Sequence, residues 1–186
     1  MRKLIYAINL TLDGCLEHTA VGPPDAEVFQ DYINLVRGAG AFIYGRTTYE
    51  LMVPYWPDVA KDESASEKEV EYAEAFCAVG QMVVVSHSLD KAEGNNAQII
   101  RSNLKEEILK LKQQEGKYML TGGIDLPSQL IQLGLVDEYL FLIYPTFGGK
   151  GKRLFEHADL TERLRLKLVD TKVFESGSVL LKYAKG

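Results

Sequence analysis

Short continuous apolar runs and stretches of helical periodicity take turns along this chain. Leu4 to Leu10, Ala41 to Tyr44, Met82 to Val85, Lys117 to Leu120 and Glu138 to Tyr144 have the pattern of strands buried on both faces. Gln98 to Arg101 is a further strand candidate. Between them, Phe29, Tyr32, Ile33 and Val36 share one face of a helix from Asp25 to Arg37, which Gly38 and Gly40 end. Arg46 to Val53 reads as helix until Pro54 stops it, and Pro54 to Ser66 reads as a loop. Ser66 with Glu69, and Asn103 with Glu106, have capping-box spacing and open helices that reach about Cys77 and Gly116. Leu126, Leu130 and Leu133 mark a short helix closed by Gly134. Near the C-terminus the period changes to two. Leu164, Leu166 and Leu168 alternate with Arg163, Arg165 and Lys167, and Ser176-Gly177 turns the chain into Val179 to Tyr183, an antiparallel hairpin.

Strands alternating with helices predict a three-layer α/β/α fold: a mainly parallel sheet with helices on both faces, made mixed by the terminal hairpin. No repeat, linker or composition break divides the chain, so residues 1–186 are expected to form one domain. The hydrophobic fraction of 46% and charged fraction of 25% are ordinary for such a domain. A net charge of −5 disfavours nucleic acid or an anionic membrane as partner, while leaving room for a local basic pocket. The basic start is followed by an apolar run that ends at Asn9, too short for a signal peptide or a bilayer span, which predicts a cytoplasmic protein. Cys15 and Cys77 read as two reduced thiols, and His18, His87 and His157 show no metal-ligand spacing, so no metal is expected.

In open α/β sheets ligands lie beyond the carboxyl ends of the strands, so the residues just after each apolar run carry the candidate chemistry. Gly45-Arg46-Thr47-Thr48-Tyr49-Glu50 follows one strand directly. Glycine lets the backbone approach a ligand, a helix start offers free amides, and Arg46 adds a fork that matches phosphate oxygens. Thr121-Gly122-Gly123-Ile124 is a second strand-to-helix turn with room for a diphosphate. Asn9-Leu10-Thr11-Leu12-Asp13-Gly14 places a carboxylate at the same edge, where it could hold an amidine-like ring edge or pass a proton through water. Ser86-His87-Ser88 could meet a ribose phosphate. Each of these elements is also an ordinary turn or cap, and none decides the function alone. The chain has no G-x-G-x-x-G element, and Gly148 to Lys152 is no P-loop, because Arg153 stands where Ser or Thr must hold magnesium.

Together these elements resemble the dihydrofolate reductase-like superfamily, and more closely the stand-alone relatives of the reductase domain of the bifunctional riboflavin-biosynthesis deaminase–reductase. The likeness is carried by Thr11-Leu12-Asp13-Gly14, Tyr44 to Glu50, Val84-Val85-Ser86, Leu120 to Gly123, and the run from Leu133-Gly134-Leu135-Val136-Asp137-Glu138 through Pro145, Gly148, Gly151 and Leu154-Phe155. It implies an NADPH-dependent oxidoreductase that moves hydride to a small pterin- or pyrimidine-like heterocycle, with 5-amino-6-(5-phosphoribosylamino)uracil reduction as the nearest known activity. It also implies a homodimer. Carried over by residue, it puts the cofactor on Gly45, Arg46, Thr47, Thr48, Ser86, Thr121, Gly122, Gly123 and Ile124, with the nicotinamide near Asn9 and Leu10. Asp13 would be the catalytic carboxylate, facing a substrate walled by Tyr49, Tyr55 and Trp56. Dihydrofolate reductases carry an acidic residue on the helix after the first strand, and Pro23-Pro24-Asp25-Ala26-Glu27 has that flavour, so an acid near Asp25 and Glu27 is the alternative to Asp13. Two other functions stay open: a nucleotide-binding module without turnover, and a broad-specificity NADPH-dependent nitro or carbonyl reductase.

Overall fold

The computed structural model describes residues 1–16, 24–155, 160 and 162–186. The lone imidazoles His18 and His157, and Pro23 of the acidic element, lie outside the described residues. In chain order the elements are β1 (Leu4–Thr11), α1 (Ala26–Gly38), β2 (Ala41–Gly45), α2 (Arg46–Met52), α3 (Tyr55–Val59), α4 (Glu67–Cys77), β3 (Met82–Val85), β4 (Gln98–Ile100), α5 (Leu104–Gln113), β5 (Met119–Thr121), α6 (Asp125–Gln132), β6 (Glu138–Tyr144), β7 (Leu166–Val173) and β8 (Val179–Lys185). The strands form one eight-stranded sheet in the order β4-β3-β2-β5-β1-β6-β8-β7. The run from β4 to β6 is parallel, and β8 and β7 add on antiparallel. This is the mixed α/β sheet that the change of period near the C-terminus predicts.

Side chains alternate across the sheet, and the two faces collect separate cores. Ile5, Phe42, Tyr44, Val84 and Leu120 pack with Val36 of α1, Tyr49 of α2 and Phe76 of α4. Leu4, Tyr6, Ile43, Val83 and Met119 pack on the other face with Ile108 and Leu111 of α5 and Leu126 and Leu130 of α6. A smaller cluster of Val28, Leu142, Tyr144 and Phe174 joins α1 to β6 and the chain just after β7. Asp137, just before β6, ties the layers at the far end. Its Oδ2 accepts the Leu4 amide at 2.7 Å and the Lys112 ammonium at 2.5 Å, and Lys112, 4% exposed, also donates to the Leu135 carbonyl. No helix among the described residues is long and apolar enough to cross a membrane.

Two local expectations change. The stretch after Pro54 contains the one-and-a-half-turn helix α3 instead of loop throughout. Pro57 is tolerated because it sits in the first turn, where a missing amide leaves no intrahelical bond broken. At Asn103 the capping box does not form. The residue is left-handed, with φ 55° and ψ 42°, and its side chain makes no cap bond. At Ser66 the box is complete, with Ser66 and Glu69 bonding reciprocally.

Candidate active site

The parallel strands β1, β2 and β5 end along one rim, and α1 crosses in front of it. Between them lies a cleft of about 540 Å³. Asn9 shares its face of β1 with Ala7 and lines this cleft, whereas its neighbour Leu10 is not among the lining residues. Thr48 of α2 and Thr121, Gly122 and Gly123 at the end of β5 line it too. Five of the residues expected to hold the cofactor therefore meet on one wall.

The glycines have separate reasons. Gly123 has φ +92°, and a Cβ there would stand 2.4 Å from the Thr48 hydroxyl. A Cβ on Gly122 would reach 3.4 Å from the Ala7 carbonyl. The turn can thus press against α2 only without a side chain at Gly123. Tyr6 fixes it from behind by donating to the Gly123 carbonyl at 2.9 Å. Ile124 serves its helix, because its carbonyl accepts the Ser128 hydroxyl at 2.8 Å.

Outside the cleft, Gly45 leads β2 into α2, and Arg46 and Thr47 are exposed on the first turn. Arg46 Nε holds Glu50 at 2.6 Å, and its NH1 donates to Ser88 Oγ at 2.8 Å. Ser86 is buried and accepts the amides of Ser88 and Leu89, so it shapes the loop while Ser88 faces Arg46. Arg101 pins the same loop through the carbonyls of His87 and Leu89. The sequence marks Ser88 within the Ser86-His87-Ser88 element but not Arg101, which only the spatial closeness of β4 to the loop after β3 reveals.

Asp13 does not line the cleft. Its carboxylate accepts the Thr11 hydroxyl at 2.5 Å and the amides of Gly148 and Gly149 at 2.9 Å each, and it meets Arg153 at 3.3 Å. The Thr11 hydroxyl first, then the Gly148 amide, hold its pKa down to about 2. A group so fully bonded to its own loop is poorly suited to catalyse proton transfer near neutral pH, and the catalytic assignment from sequence is corrected to a loop clamp. The expected aromatic wall is also corrected. Tyr49 is buried against the sheet, with its hydroxyl accepting the Glu93 amide at 2.7 Å. Tyr55 is 53% exposed, and Trp56 packs at a tilt against Tyr72 with ring centres 4.3 Å apart. The wall is made instead by Tyr32, Phe42, Tyr72 and Phe174. The acidic start of α1 does not face the cleft either. Asp25 caps the helix by accepting the Val28 amide at 2.8 Å, and Glu27 pairs with Lys172 at 3.2 Å.

The chain is similar to known proteins along nearly its whole length. An uncharacterised Bacillus subtilis protein, YyaP, is 33% identical over 189 residues, covering 98% of this chain and 94% of its own. Among solved structures, a pyrimidine reductase-like protein from Corynebacterium diphtheriae superposes with a TM-score of 0.67 at 17% identity, over 100% of this chain and 92% of the other. Dihydrofolate reductase from Enterococcus faecalis, solved in complex with NADP(H), gives 0.61 at 17% identity, over 99% and 96%. These two likenesses establish the dihydrofolate reductase-like fold. The description of the RibD C-terminal domain matches residues 2–180. With that match spanning the sheet, the glycine turns and the cleft, the chain belongs to the RibD C-terminal domain family.

Proposed function

We propose that this protein is an NADPH-dependent reductase that carries hydride to a small heterocycle of the pyrimidine or pterin type. The carrying observation is the contact of Gly123 with Thr48 on the wall of the cleft, two helix starts brought so close that only glycine fits between them. The residues suit a dinucleotide. The Gly45 and Gly122 turns offer main-chain amides to a diphosphate, and Arg46 with Ser88 and Arg101 offers positive charge and a hydroxyl to an adenosine ribose phosphate. The nicotinamide would rest by Ala7 and Asn9, facing the aromatic wall. When bound, the cofactor supplies the hydride; the chain's part is to bind, orient and keep water from the two rings.

The relatives support the reductase class, since their names describe a pyrimidine reductase-like protein and a dihydrofolate reductase holding NADP(H). The exposed Leu168, Val169 and Val173 of β7 support a homodimer. Calorimetric titration with NADPH and NADH tests the reading. The protein should bind NADPH the more tightly, and Arg46→Ala should weaken NADPH at least tenfold while changing NADH about twofold, because a guanidinium fork is matched to phosphate oxygens. Equal weakening of the two, or no binding of either, would count against it.

A further inference from the structure

In the polar interior of the cleft one side-chain hydrogen bond ties α1 to β1. Tyr144 on β6 sits in the small cluster against which Tyr32 of α1 packs. Tyr32 donates its hydroxyl proton to Asn9 Oδ1 on β1. Burial above all raises the Tyr32 pKa well beyond the ordinary phenol range, so the hydroxyl stays a donor. An amide whose oxygen is fixed has its plane fixed. Both protons on Asn9 Nδ2 are then left without a protein partner among the described residues, on a side chain that lines the cleft.

The charge around this bond is already committed. Asp31 is the charged residue lining the cleft among the described residues. Lys172 holds both of its oxygens at 3.1 Å, meets Glu27 at 3.2 Å and lies 4.6 Å from the centre of the Phe174 ring. A cationic ligand edge would have to break that pair, and an anionic one would face Asp31. The rest of the wall near Asn9 is flat and apolar, with Phe42, Tyr72, Leu140 and Leu142.

We propose that Asn9, held in register by Tyr32, is the specificity-determining donor of the site and reads an accepting oxygen on an uncharged flat ring. The proposal rests on the reading of this cleft as the ring site of a reductase, and it deepens that reading by naming the substrate's chemistry. Donors on the protein select a carbonyl or nitro oxygen and disfavour an amidine edge, whose own donors would meet them head-on and leave both sides unpaired. Tyr32 acts through Asn9 and is a positioning residue.

The test uses two rings of one shape, pteridine-2,4-dione and 2,4-diaminopteridine, titrated calorimetrically into the full chain with and without saturating NADPH. The dione should bind at least tenfold more tightly. Asn9→Asp keeps the shape while replacing donors by acceptors, and it should reverse the order of the two rings. Tyr32→Phe should shrink the preference to threefold or less while melting within a few degrees of the wild type, since the freed amide can turn its oxygen inward. Equal affinity for the two rings, tighter binding of the diamine, no binding of either, or a preference unmoved by Asn9→Asp overturns the proposal. A protein that separates the rings but ignores NADPH supports this inference and overturns the cofactor reading; one that binds NADPH but not the dione preferentially does the reverse.

Discussion

Gly123 shows how little freedom a single residue has at this rim. Its φ of +92° costs any L side chain about 1–2 kcal/mol, and the Thr48 hydroxyl already stands where a methyl would go. Gly123→Ala should therefore lower the melting temperature by several degrees and weaken NADPH at least tenfold; unchanged affinity would mean the turn takes no part in binding. Gly148 is constrained by space alone, since a Cβ there would lie 2.6 Å from the Cys15 Cβ. Asp13 then locks the loop through two amides. Its folded pKa of about 2 lies below the roughly 4 of an unfolded aspartate, so the clamp's contribution is complete above pH 4 and is lost as pH falls toward 2. The protection of the Gly148 and Gly149 amides, referred to the intrinsic exchange rate at each pH, should fall across that window. In Asp13→Asn the same amides should exchange faster already at pH 5 and show no such step. Protection that is independent of pH in the wild type would remove the clamp.

Among the elements, strands were the most legible, because a strand buried on both faces needs a continuous apolar run and the chain supplies one for each central strand. Helix α1, with its wide apolar stripe, was equally plain, and for α4 the spacing of Ser66 and Glu69 set the start. The short α3 was hidden because Pro54 and Pro57 read as breakers, although proline is harmless in a first turn. Asn103 misled because it adopts a left-handed conformation, from which its side chain makes no cap bond. At the other end of the sheet, β7 is an edge strand that exposes Leu168, Val169 and Val173 at 49%, 55% and 68%. An open apolar edge invites pairing, which is the physical support for a homodimer. Light scattering should give twice the chain mass for the wild type and the single mass for a Val169→Lys, Val173→Lys double variant. A monomeric wild type would rule the dimer out.

For the whole molecule, sequence order predicted which loops share the rim, and the structure gathers Asn9, Thr48, Thr121, Gly122 and Gly123 around one cleft. Sequence did not predict the opposite wall. Tyr32 reads as one more apolar helix position until α1 is laid across the sheet, and Phe174 follows β7 yet reaches the cleft only because β8 returns beside β6. Asp13 was misplaced for the converse reason: a carboxylate at the right rim looks catalytic until the Gly148 loop folds over it. On the proposed reading, ring specificity would rest on contacts distant in sequence, whereas phosphate binding would rest on turns that are local and readable. The most direct test of this division is a crystal structure of the protein grown with NADPH. Difference density should run from Arg46 across the Gly123 turn and end with a ring beside Asn9. Dinucleotide density anywhere else, or an empty cleft at millimolar NADPH, would contradict the account.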